Sequence, residues 1–387
     1  MPHCQSRIKK IGLFIFAAFF FTSCSTPKPR AILAVTVPLS GPLRDEGQGI
    51  VQAVRLAVLD FNASQKPKWR VNVRSYNDEE SPARAKEIAQ KISLNPHVFA
   101  VIGNLTSGCS IAASRIYASS GIPMLTPSSG NSTLTSQQEL PDWKWPRVVF
   151  RLPPPDLYQA NYAANFAYSR INLRSFWVVG DGSAYGMELS QSFGDDFKKL
   201  GGNVMGYSEF PQSSSDFSEL IGNIEKSNAQ GVFFGGYYPE AARILLALQK
   251  AGIKPVFFSG GASKANNLFD LAGSAVDKAY FVVNGVPIDF LPSAKQFVSA
   301  YKKLYNAIPR TYDVYAYEAT KIALEALSNS APLDLLPNRE KILAKLQETN
   351  QNSMIGIIQF DGKGDDLNTL VTLVQAHFRK RKFEPIY

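Results

Sequence analysis

The feature that most limits the fold is a strict alternation, from Ala31 onward, of short apolar runs with amphipathic helical stretches. Ala31 to Val37 reads as a buried strand, and Gly47 to Phe61 as a helix with Ile50, Val54, Ala57, Val58 and Phe61 on one face. Arg70 to Tyr76 alternates like a strand. Ser81-Pro82 then caps and opens a helix whose inner face is Ile88, Ala89 and Ile92. Val98 to Ile102, Ser110 to Ser119 and Ile122 to Thr126 repeat the strand, helix, strand order. A Pro- and Ser-rich break runs from Pro127 to Pro155 and holds one strand, Val148 to Arg151. The rhythm then restarts. Strands at Phe176 to Gly180, Val204 to Phe210, Gly231 to Gly235 and Pro255 to Ser259 alternate with helices near Gly186 to Leu200, Asp216 to Ser227 and Glu240 to Ala251. A strand at Tyr280 to Val283 precedes helices around Ser293 to Asn306 and Tyr312 to Ser328. Gly356 to Phe360 and Leu370 to Ala376 flank Asp361-Gly362-Lys363-Gly364, a hairpin turn signal.

Parallel strands need crossovers, so repeated β-α units predict an α/β fold with mainly parallel sheets covered by helices on both faces. With 387 residues, 45% of them hydrophobic, the chain can fill two cores. The break after Pro127 divides it into two doubly wound lobes, a hinged clamshell whose cleft is the default ligand site.

Within this pattern, Val98 to Thr133 carries the densest set of candidate binding groups. Small hydroxyl residues stand where each strand ends, and in a parallel sheet those ends share one edge with the free N–H groups of helix N-termini. Ser107, Ser128 and Ser129 add O–H donors there, which makes a cradle for a small anion, most simply a carboxylate. A plainer role for Ser107 and Ser110 is helix capping, and for Ser128 to Ser132 chain turning.

The N-terminus is not part of the fold. Arg7, Lys9 and Lys10 precede an apolar run, Ile11 to Phe21, too short to span a bilayer. Residues 1–23 therefore read as an export signal and 24–30 as a linker. Phe21-Thr22-Ser23-Cys24 resembles the end of a bacterial lipoprotein signal, in which the Cys, here Cys24, becomes the lipidated first residue; Phe21 departs from the Leu usual at that place. A plain secretory signal with Cys24 unlipidated is the alternative. Cleavage removes three positive charges and no negative ones, so the formal charge falls from +9 to +6. The remaining Lys and Arg are scattered except at Arg379-Lys380-Arg381-Lys382, and no nucleic-acid signature occurs. Cys4 leaves with the signal, so Cys109 has no partner for an intramolecular disulfide.

Catalysis is disfavoured by composition. After processing only His97 and His377 remain, and neither adjoins a nucleophile motif. No Cys and His cluster suits zinc, and no catalytic residue, metal or cofactor is expected.

Six motifs together resemble the type I periplasmic binding proteins, most closely the branched-chain amino-acid (Leu/Ile/Val) binding group of ABC importers. They are Val37-Pro38-Leu39-Ser40-Gly41-Pro42, Ile102-Gly103-Asn104-Leu105-Thr106-Ser107 and Gly121-Ile122-Pro123-Met124-Leu125-Thr126-Pro127-Ser128, then Ala184-Tyr185-Gly186, Phe233 to Glu240 and Phe360 to Asp365. The resemblance covers the whole mature chain and implies two discontinuous lobes. Lobe 1 would be 31–149 plus 284–355, and lobe 2 would be 150–283 plus 356–387. Their three-crossing hinge would lie near Arg151, Asn284 and Gly356.

By the same resemblance Ser107 and the Ser128, Ser129 and Gly130 loop hold a ligand carboxylate, while Tyr185 and Tyr237 close over the ligand from the second lobe. Ordinary half-buried packing is the alternative for the two tyrosines. Three departures follow. The family's acidic partner for a ligand ammonium is replaced in Ser259-Gly260-Gly261-Ala262, a hydroxyl residue is replaced by Gly130, and a first-loop aromatic by Glu46. Glu46 or Asp181 could supply the missing charge; Arg44 could instead clamp a second carboxylate. Glu80 and Thr106 stand where the family has a disulfide.

The implied function is a monomeric, extracytoplasmic receptor, anchored by a lipid, that hands a small carboxylate-bearing ligand such as an amino acid to an ABC permease. An exported sensor or protein-interaction lipoprotein on the same fold is the alternative, as is a receptor for an amide or organic acid.

Overall fold

The computed structural model describes residues 29–64, 69–212, 214–330 and 336–386, so the export signal and Cys24 lie outside the described residues. Five strands form the first sheet: β1 (Arg30–Val37), β2 (Arg70–Asn77), β3 (Val98–Gly103), β4 (Met124–Thr126) and β5 (Val149–Arg151). All pair in parallel, in the order β2-β1-β3-β4-β5. Strands β3 and β4, and β5 at the sheet's far edge, are buried along their whole length, which is why they read as apolar runs. The edge strand β2 alternates instead.

The second sheet repeats the plan with β6 (Ser175–Gly180), β7 (Asn203–Glu209), β8 (Gly231–Gly235), β9 (Val256–Gly260) and β10 (Tyr280–Asn284), in the parallel order β7-β6-β8-β9-β10. Its core is aromatic: Phe193 stacks on Phe233 with ring centroids 3.9 Å apart, and Phe176 meets Phe193 edge-on at 5.0 Å. In each sheet the winding direction reverses beside the first strand, between β1 and β3 and again between β6 and β8. At such reversals the crossover loops part at the strands' carboxyl ends and leave a crevice.

The chain passes between the units after Arg151 and after Asn284. The helix Asp156–Asn165 packs against β9 and β10 of the second sheet, and the long helix Thr311–Ser330 returns to the first unit to pack on the helix Arg44–Ala63. A two-stranded antiparallel sheet follows, β11 (Asn350–Ser353) with β12 (Gly356–Gln359). It is tied to the long helix by Met354 N–H donating to Glu318 Oε1 at 3.2 Å. The chain rejoins the second sheet as β13 (Val371–His377), antiparallel to β10, and ends in β14 (Lys382–Pro385).

Several elements differ from the sequence reading. The first helix starts at Arg44 rather than Gly47, because Arg44, Asp45 and Glu46 form a polar first turn with no apolar signal. The helix Asp156–Asn165 was not expected; its buried face is built largely from Ala160, Ala163 and Ala164, too small to give a strong periodicity. The helix Arg339–Gln347, with Ile342, Leu343 and Leu346 inward, is also additional. Asp361 to Gly364 is a turn but not a hairpin between its flanking strands, since β12 pairs with β11 and β13 with β10 and β14. The turn is held by Asp361 Oδ1, which accepts from Lys363 N–H (2.8 Å) and Asp365 N–H (2.9 Å). It packs on β5 through Arg151 N–H donating to the Gly364 carbonyl at 2.7 Å.

Cys109 is buried with a free thiol, and burial pushes its pKa up to about 12, so it is not a reactive nucleophile at neutral pH.

Candidate functional site

Both reversals open onto one cleft between the two sheets. It encloses about 980 Å3 of empty space, its mouth included. From the first unit come Glu46, Leu105, Ser107 and Ser128; from the second, Tyr185, Tyr237, Gly261 and Lys264.

Ser107 opens the helix Ser107–Ser119 directly after β3. The first backbone bond of this helix runs from Ser110 N–H to the Thr106 carbonyl (3.1 Å), so the N–H groups ahead of it have no partner inside the helix. Ser107 Oγ accepts from Asn131 N–H at 3.4 Å, which leaves its own O–H available to a ligand. One hydroxyl donor, a row of unpaired N–H groups and the positive end of a helix therefore meet at the cleft floor, the electrostatic requirement for a small anion.

The neighbouring serines are spent differently. Ser128 lines the cleft, but its hydroxyl donates to the carbonyls of Leu105 (2.9 Å) and Asn104 (3.2 Å). Ser129 pairs its Oγ with Ser110 Oγ at 2.6 Å, and is not among the cleft-lining residues. Gly130 does not line the cleft either; an added Cβ there would sit 2.1 Å from Asp156 Oδ1. The Asp156 carboxyl thus fills the space that a side chain at 130 would need. Burial raises the Asp156 pKa well above the ordinary carboxylate value, helped by nearby Glu188 and opposed by Arg151.

Arg151 fixes this loop from below. Its guanidinium makes four hydrogen bonds, Nε to Asp365 Oδ1 (2.9 Å), Nη1 to the carbonyls of Gly130 (2.8 Å) and Asn131 (2.7 Å), and Nη2 to Thr135 Oγ1 (2.9 Å), and Nη2 also lies 2.8 Å from Asp365 Oδ1 as an ion pair.

On the opposite wall Tyr185 lies in the first turn of the helix Ala184–Lys199, whose cap is Ser183 Oγ accepting from Gly186 N–H at 2.9 Å. Tyr237 caps the helix Tyr238–Ala251 after β8. Their rings meet at 5.3 Å between centroids, tilted by 46°, and burial drives both phenol pKa values up, so both present neutral hydroxyls. The lips are bridged from both sides. Ser132 N–H donates to the Glu188 carboxylate (2.9 and 3.0 Å), Asn131 Nδ2 donates to the Ala184 carbonyl (2.6 Å), and Tyr238 O–H donates to the Pro42 carbonyl (2.6 Å).

Of the charged candidates, only Glu46 reaches the cleft. It is buried, its pKa is raised by desolvation and held back by Arg310 and Lys264, and Arg310 Nε lies 3.4 Å from its Oε1. Asp181 is engaged elsewhere, accepting from Ser183 O–H (2.6 Å), Ser183 N–H (3.0 Å) and Gln212 Nε2 (3.2 Å). Arg44 is exposed and does not line the cleft. The sequence reading missed Lys264, Asn284, Arg310 and Tyr312, all of which line it. The signals were present but faint: Asn284-Gly285 at a strand end, and Pro309-Arg310 just before a helix.

The periplasmic binding protein family model matches residues 33–381, nearly the whole described chain. The chain belongs to this family. The leucine-specific-binding protein of Salmonella typhimurium is 28% identical over 337 residues, covering 86% of this chain and 87% of that one. The Leu/Ile/Val-binding protein of Escherichia coli is 28% identical over 334 residues, with the same coverage of 86% and 87%. Among solved structures, the leucine-binding protein LivK of Thermotoga maritima superposes with a TM-score of 0.82 at 25% identity, covering 92% of this chain and 98% of that one. The branched-chain amino acid binding protein LivJ of Streptococcus pneumoniae, in complex with isoleucine, gives 0.79 at 21% identity and 92% and 99% coverage, which speaks to the fold. The two-lobed architecture expected from the sequence is therefore that of the type I periplasmic binding proteins.

Proposed function

We propose that the chain is the extracytoplasmic receptor of an ABC importer and that it traps a small amino acid between its lobes. The observation that carries this reading is the convergence on one cleft of Ser107, with the unpaired N–H groups of its helix, and the Tyr185–Tyr237 pair. The first set suits a carboxylate; the second is a neutral, largely apolar cover. Contacts made with both lobes at once exist only in the closed form, so the ligand shifts the population toward it by that differential affinity. Hinging would occur at the passages after Arg151 and after Asn284, and at a third crossing that the sequence reading put near Gly356 and that we place between β12 and β13, at 360–370. The relatives that bind leucine, isoleucine and valine support a neutral amino acid. Residues 1–23 act in this reading as the export signal and Cys24 as the lipidated residue, which places a monomeric receptor at the membrane beside its permease.

The test is a thermal-shift series of the mature protein against the twenty L-amino acids, followed by calorimetry. A ligand at one hundred times its Kd adds about 2.7 kcal/mol to stability. Ser107→Ala is expected to weaken the best binder by about tenfold, the loss of one hydrogen bond to a charged group, and Tyr237→Ala to weaken it further. Unchanged affinity in both variants would remove the site assignment.

A separate reading, a sensor or interaction lipoprotein, draws on the absence of a carboxylate at Gly261. It requires that no amino acid in the series shift the melting temperature.

A further inference from the structure

Asn284 ends β10 at the point where the chain leaves the second sheet, and it lines the cleft. Only 3% of its surface is exposed. Among the described residues its Oδ1 has no hydrogen-bond partner. A buried amide oxygen is costly to leave unmet, so an unpartnered one on a residue that lines the cleft is an acceptor waiting for a donor.

The neighbouring strand shows why nothing in the protein reaches it. Val282 pairs with Gly260 across β10 and β9, which sets Asn284 beside the turn that begins at Gly261. An added Cβ at Gly261 would make ordinary contacts at 3.4–3.5 Å, so the wall there could carry a side chain but carries none. The carboxylates that line the cleft are engaged or wet: Glu46 is paired with Arg310 on the same unit, and Asp289 is exposed. Asp181 and Asp156 do not line the cleft.

We propose that Asn284 Oδ1 accepts a hydrogen bond from the α-ammonium of the bound amino acid, so that a neutral amide on β10 takes the role that an acidic side chain at Gly261 would have had. This rests on the amino-acid receptor reading above and adds the residue that distinguishes an amino acid from the acid lacking its amino group. The carboxylate lies at Ser107, the ammonium at Asn284, and the side chain against the tyrosines.

The test is calorimetric titration of the mature wild-type protein, Asn284→Ala and Asn284→Asp with L-leucine and with 4-methylpentanoate, its desamino analogue. The wild type is expected to bind L-leucine at least tenfold more tightly than 4-methylpentanoate. Asn284→Ala is expected to lower that ratio at least fivefold while changing 4-methylpentanoate binding less than threefold. Asn284→Asp is expected to raise the ratio, and it carries the test if the alanine variant fails to fold. A ratio unchanged in the variants overturns the assignment of Asn284 while leaving the receptor reading intact, as does a wild type that binds both compounds equally. If none of the twenty L-amino acids binds, the receptor reading falls and this inference falls with it.

Discussion

Replacing Arg151 by Met tests how the carboxylate-binding rim is held. The side chain is 1% exposed and makes four hydrogen bonds, one to Asp365, two to the carbonyls of Gly130 and Asn131, and one to Thr135, besides its ion pair with Asp365. Methionine fills a similar volume but donates nothing. Asp365, itself buried, loses its buried cation and keeps only Lys363 Nζ at 3.9 Å, and two loop carbonyls lose their donors. Breaking a buried pair from one side costs about 3–5 kcal/mol, chiefly the stranded charge. If that account holds, removing the charge as well should recover part of the loss. The double variant Arg151→Met with Asp365→Asn is therefore expected to be about 1–2 kcal/mol more stable than Arg151→Met alone. Urea unfolding of the wild type, both single variants and the double variant, followed by circular dichroism, gives the coupling directly. An Arg151→Met protein within about 1 kcal/mol of wild type would refute the reasoning, as would a double variant less stable than that single one.

Three further outcomes follow from the same geometry. Gly130→Ala places a methyl 2.1 Å from Asp156 Oδ1 and is expected to destabilise the protein by about 1–3 kcal/mol; Asp156→Ala in the same chain should relieve most of that cost in a thermal melt. Burial raises the Asp313 pKa to about 7, above its unfolded value of about 3.9, so the native state holds a proton that the unfolded state has shed in between. The contribution of Asp313 to stability should therefore fall as pH rises from about 4 to 7, by at most about 4 kcal/mol, and Asp313→Asn should reduce the slope in denaturant melts, with buried Glu240 and Asp366 supplying the rest. Glu188→Ala deletes the carboxylate that accepts Ser132 N–H across the lips, and is expected to increase the radius of gyration by small-angle scattering and to weaken amino-acid binding about fivefold.

The alternation of apolar runs and amphipathic helices was enough to read both sheets, because strands buried on both faces leave an unmistakable apolar signature. Ser107 was legible for a related reason: a hydroxyl just after an apolar strand and just before a helix has few other places to be. Glu46 was legible only as a position. Its meaning came from the structure, which sets it in a helical first turn opposite Arg310, a residue 264 positions later in the chain. Lys264, Asn284 and Arg310 share that difficulty, since the passages between the units bring distant segments to one cleft and no local pattern encodes this. Ser128 and Ser129 show the converse. Their composition suggests ligand donors, yet the loop consumes their hydroxyls on the Asn104 and Leu105 carbonyls and on Ser110. The helix Asp156–Asn165 escaped because alanine packs a close interface without a strong hydrophobic signal.

The most direct test of the whole account is a crystal structure of the mature protein grown with the amino acid that gives the largest thermal shift. The account predicts that ligand in the cleft, its carboxylate about 2.7–3.2 Å from Ser107 Oγ and from N–H groups of the helix Ser107–Ser119, with the Tyr185 and Tyr237 rings against it. A cleft without the amino acid, and the molecule bound on another surface, would contradict it.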